Sequence, residues 1–245
     1  MKLVESKLRK LIREEIQRLN EKIEGGQSAG TLEIASTKPD TARAFAKKKG
    51  WDISEITNFD KNFNFAAKKA SLGKTKRKDM PVINDNDVKE FQRKLEKGYI
   101  DVVKPFSKTF SGKNPFPSGL KGGEARDFLE RGLKDGEKSD DVISVSIRQV
   151  SAKKLKPIQK QIYFSKIVEP MKKFGVKGST KFLVSQTFFI ASEDLYIIDG
   201  HHRWLSALLM NPDMKVNVLT IDLPIRKLLP LSIAYGDSIG NSRNG

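Results

Sequence analysis

Cysteine is absent from the chain. Disulfides, cysteine-ligated zinc and thiol chemistry are therefore excluded, and the composition suits a reducing compartment. No apolar run approaches the length of a bilayer span, and the first residues lack the uninterrupted apolar segment of a secretory signal. These features predict a soluble, cytoplasmic protein with no membrane partner. Acidic residues are in short supply: 30 Asp and Glu stand against 46 Lys and Arg, a formal charge of +16. A polyanion such as DNA is the partner that this imbalance attracts. Scarcest of the ionisable residues is histidine, with two in 245 residues, and both lie side by side in LYIIDGHHRW, residues 195–204.

The histidine stretch has the pattern of a strand-to-helix turn. Leu195 to Ile198 is a short apolar run, Asp199-Gly200 interrupts it, and Trp204, Leu205, Leu208 and Leu209 return at helical spacing. A helix N-terminus directs free backbone N–H groups at an anion, and Arg203 adds a forked cation suited to phosphate. Asp199 can equally be a helix cap, Arg203 a surface ion-pair partner and Trp204 the first core residue of the helix.

Positive charge is concentrated near the start. Between Lys61 and Lys78 there are seven basic residues and no acidic one, with Phe63 and Phe65 preceding Lys68, Lys69, Lys74, Lys76, Arg77 and Lys78. Basic residues interleaved with aromatics suit phosphate contact and base stacking; a solvated, charge-biased linker would have the same composition.

Periodicity predicts an amphipathic helix over 2–24, able to pack on the body, on another copy or on a partner, and hence a route to oligomers. A basic, partly flexible and partly helical extension follows over 25–80, with short helices near 40–50 and 60–72. The main domain is expected over 81–245: helices at 87–97 and 124–133, a strand at 142–147, a helix from Pro157 to Phe174, strands at 182–190 and 195–198, the Trp204 helix, a strand at 216–221 and an apolar helix at 223–235.

With PIQKQI and IIDGHHRWLSALL in this order, the stretch 142–223 resembles the ParB/sulfiredoxin superfamily. The resemblance implies an α+β fold, a small mixed sheet flanked by helices, with Asp199, Gly200, His201, His202 and Arg203 on the phosphate-binding turn. It implies a nucleoside di- or triphosphate as ligand, Mg2+ as cation, and Lys156, Gln159 and Gln161 along the same pocket. Sulfiredoxin activity is excluded by the missing cysteine, the Glu-Arg-Arg of partition proteins is replaced by Asp-His-His-Arg, and no helix-turn-helix follows. The expected function is nuclease-like action on DNA, with His201 or His202 as proton shuttle or metal ligand and Asp199 as metal ligand or orienting group. The alternatives are a nucleotide-dependent serine-type kinase, with Asp199 or Glu169 as base, and a non-enzymatic DNA-binding or virion-internal protein. MKLVESKLRKLIREEI and KRKDMPVI also resemble tailed marine bacteriophage proteins, in which Leu19-Asn20-Glu21 has the form of a head-protease site. Host cytoplasm or virion interior is the location this implies.

Overall fold

The computed structural model describes residues 31–103, 114–185 and 189–243. The helix expected over 2–24, the oligomer contact assigned to it and Leu19-Asn20-Glu21 lie outside these residues. Among the described residues there are seven helices, α1 (Pro39–Lys48), α2 (Phe59–Ala70), α3 (Val88–Glu96), α4 (Gly123–Phe128), α5 (Ser165–Ser185), α6 (His201–Met210) and α7 (Ile225–Ser238). The strands are β1 (Val145–Ser151), β2 (Lys156–Pro157), β3 (Phe189–Ser192), β4 (Tyr196–Asp199) and β5 (Lys215–Ile221). The fold is α+β, and no described helix is long and apolar enough to cross a membrane.

One mixed sheet runs in the order β1-β5-β3-β4-β2. β5 pairs antiparallel with β1 and parallel with β3, while β4 pairs antiparallel with β3 and parallel with β2. Alternation of side chains along each strand divides the interior into two cores. Ile197, Val216, Val218, Phe189 and Ala191 join the first, with Trp204 and Leu208 of α6. Ile190, Ile198, Leu219 and Ile221 join the second, with Phe91, Phe128 and Tyr235.

Residues 31–80 are not a loosely held extension, which corrects the boundary expected at residue 80. Ile34, Ala42, Ala46, Trp51, Phe59, Phe63, Ala66 and Ala70 are all buried in the first core. Phe45, Trp51, Phe59 and Phe63 surround Phe164 at centroid distances of 5.7–6.5 Å. Fully burying such a ring contributes about 2–3 kcal/mol. Asn62 Nδ2 adds a buried hydrogen bond of 2.8 Å to the Leu209 carbonyl of α6.

Three further expectations are corrected. Pro157 is not a helix start: it pairs with Ile197 in β2, an edge strand, where a missing N–H is tolerated, and the helix begins only at Ser165. Phe182 belongs to that helix rather than to a strand, since α5 continues to Ser185 after a break at Gly175, where φ is 62°. The first strand occupies 145–151 rather than 142–147, because its seven partners on β5 set its length.

Candidate functional site: the histidine turn

β4 ends at Asp199, and Gly200 turns the chain at φ 104°, ψ 18° into α6. That φ favours glycine, and a Cβ there would stand 2.9 Å from Phe189 Cδ1. No side chain caps the helix, leaving the first-turn N–H groups to water or an anion. Asp199 and Arg203, one helical turn apart, form a close ion pair, with side chains 42% and 26% exposed. The Arg203 guanidinium also lies over the Phe189 ring at 5.9 Å. Its Nε is buried with no hydrogen-bond partner.

Both imidazoles act as acceptors. His201, 4% exposed, receives the N–H of Ile158 at 3.3 Å and of Gln159 at 3.2 Å on Nε2. His202 Nε2 receives the N–H of Tyr163 at 3.2 Å, and the Tyr163 and His202 rings stack. The two adjacent histidines thus pin the irregular chain 158–163 against the start of α6. A nitrogen that accepts an N–H carries no proton, so each ring is neutral. Burial, then the positive charges of Arg77 and Arg203, lower His201 to about 3. Burial, followed by Arg77, Lys166, His201 and Arg203, holds His202 well below its ordinary value. The expectation of a proton shuttle or metal ligand at either histidine is left without support, because Nε2 is engaged and the protonated form is suppressed. Asp199 is committed to Arg203, and no metal-ligand cluster among the described residues includes it.

The pinned chain joins this turn to the basic segment. Lys74 and Thr75 both donate N–H groups to the Ile158 carbonyl at 2.9 Å, and Lys160 N–H returns to the Thr75 carbonyl at 2.7 Å. The Arg77 N–H donates to Gln161 Oε1 at 2.7 Å, and Gln159 Nε2 donates to the Gln161 carbonyl. The side chains of Gln159 and Gln161, which the resemblance assigns to the pocket, are thus hydrogen-bonded to backbone groups of Gln161 and Arg77. Residues 73–78 lie beside 158–161, which lie beside His201 and His202, so Arg77 approaches the turn from a segment more than a hundred residues away in sequence.

Lys68, Lys74, Lys76 and Lys78 are exposed. Lys69 instead donates to the Lys153 carbonyl at 2.7 Å, and its pKa is lowered by burial and by Lys156. Lys156 Nζ sits 4.9 Å above the Tyr196 ring. Lys166, at the start of α5, and Tyr163 belong to the turn but carry no sequence signal beyond a cation and an aromatic in a polar stretch. Compared with protein-family models, with curated proteins and with solved structures, the chain finds no match.

Proposed function

We propose that the chain is a phosphate-binding protein of ParB/sulfiredoxin type that grips DNA along one basic face. In this reading the N-terminus of α6 and Arg203 receive a phosphate, either from the DNA backbone or from a nucleotide, and Lys74, Lys76 and Lys78 extend the basic surface. The observation that carries the reading is the placement of 73–78 beside the histidine turn: two basic features far apart in sequence become neighbours through 158–161. The engaged, neutral histidines favour binding over histidine-dependent nuclease or kinase chemistry.

Fluorescence anisotropy of labelled duplex DNA across a salt series, with calorimetry of nucleoside triphosphate, tests it. Affinity should fall steeply with salt. Changing Lys74, Lys76 and Lys78 together to Gln should flatten the log–log slope by roughly one for each DNA phosphate that these lysines neutralise. Arg203→Ala should weaken phosphate binding by about tenfold or more, equivalent to one charge-assisted pair. Affinity independent of salt, or unchanged by both substitutions, would reject the reading.

A further inference from the structure

We propose that Asp101, Asp135 and Asp141 form a binding site for a divalent cation of calcium type, apart from the histidine turn. One carboxylate oxygen from each lies within 4.8 Å of the other two. Three protein carboxylates converging on one point match Ca2+, which takes about six to eight oxygen ligands, whereas Mg2+ dehydrates reluctantly and is held by one or two carboxylates with its remaining waters.

Carboxylates often gather on a surface without an ion, so the burial of this group carries the argument. Asp141 is 0% exposed. Its Oδ1 accepts the Val102 N–H at 2.6 Å, but its Oδ2 is buried with no hydrogen-bond partner. An oxygen bearing negative charge, removed from water and given nothing to accept, is destabilising, and two more carboxylates beside it raise that penalty. A divalent cation removes both costs at once.

The backbone is shaped around the same oxygen. At Gly132 an added Cβ would stand 2.5 Å from Asp141 Oδ2 and 2.7 Å from the Gly98 carbonyl oxygen. Any side chain at 132 would displace the carboxylate. The Gly132 N–H, bonded to the Tyr99 carbonyl at 3.1 Å, ties the two segments together. Asp135 is exposed, which provides the ion with an entry and with water to complete its shell. Bound there, the cation joins residues 98–102, which follow α3, to 131–141, which precede β1, and so closes the second core.

The test is made on the full chain, stripped with EDTA and then titrated with CaCl2 or MgCl2 in a calorimeter and in thermal melts. Ca2+ should bind with measurable heat and raise Tm by about 5 °C at a hundredfold excess over Kd, and Mg2+ should do less. Asp135→Asn, at an exposed position, should fold and lose most of the shift. Asp141→Asn should lose all of it, while melting without Ca2+ at or above the wild-type temperature because a repelled buried charge is gone. Absence of Ca2+ heat in the wild type, or a full Ca2+ shift retained in Asp135→Asn, would overturn the site. An equal shift with Mg2+ would overturn its calcium type.

Discussion

Replacing His201 with Phe is expected to destabilise the protein by about 3 kcal/mol or more, although the new ring is apolar, similar in size and placed at a buried position. The reason is the loss of one acceptor that serves two backbone donors, Ile158 and Gln159. A buried N–H left without a partner costs about 1–3 kcal/mol. His201→Gln retains an acceptor oxygen and should recover part of the loss. Urea denaturation at neutral pH measures both. The converse, a His201→Phe variant as stable as wild type but defective in turnover, would restore a catalytic histidine.

The same bonds predict how stability depends on pH. An unfolded chain protonates His201 below its ordinary value of 6.5, whereas the folded chain resists until about 3. The unfolded state therefore binds more protons between these values, and the stabilisation is complete above pH 6.5 and lost as pH falls toward 3. A shift of this size corresponds to an effect on the order of 4–5 kcal/mol for this imidazole. Because the chain holds two histidines, NMR reads them directly: neither imidazole signal should titrate between pH 8 and pH 5 in the folded protein. Urea midpoints should fall across the same range, less steeply in His201→Phe. A normal titration near pH 6.5 would contradict the buried acceptor role.

How far the sequence discloses this arrangement depends on the range of the interaction concerned. Local signals are legible: Phe59, Phe63, Ala66 and Ala70 repeat at the spacing that α2 uses to enter the core, and the strand, glycine and helix around Asp199 to Trp204 stand where the pattern places them. Long-range partners are not. Pro157 has the look of a helix start because nothing nearby reveals that its neighbours Ile158 and Gln159 will donate to a histidine more than forty residues ahead. The helices of 39–70 are so rich in lysine on their outer faces that their small apolar stripes suggest a tether, yet those stripes surround Phe164. The acidic group is equally hidden, since Asp101 and Asp141 meet only once the chain that follows α3 and the turn at 138–141 come together.

The strand-like run that joins Arg77 to the histidine turn passes through Gly73, and this glycine should be the least replaceable small residue near the site. A Cβ there would stand 2.1 Å from the Gln159 carbonyl oxygen, 2.6 Å from its carbon and 3.0 Å from Lys160 N. All three are backbone atoms, and the Gln159 N–H is already fixed by His201, so the neighbouring chain cannot yield without breaking that bond. Gly73→Ala should therefore cost about 3 kcal/mol, at the upper end of ordinary overpacking, and should shift the His201 NMR signals by moving 158–161 relative to α6. Gly123→Ala supplies the control: its Cβ would meet nothing within 4 Å, and alanine is tolerated at a first helical position. It should leave stability equal or slightly raised and both imidazole signals in place. If Gly73→Ala melts like Gly123→Ala with unmoved histidine signals, the 73–78 segment does not lie against 158–161, and the continuous basic face proposed for DNA has no physical basis.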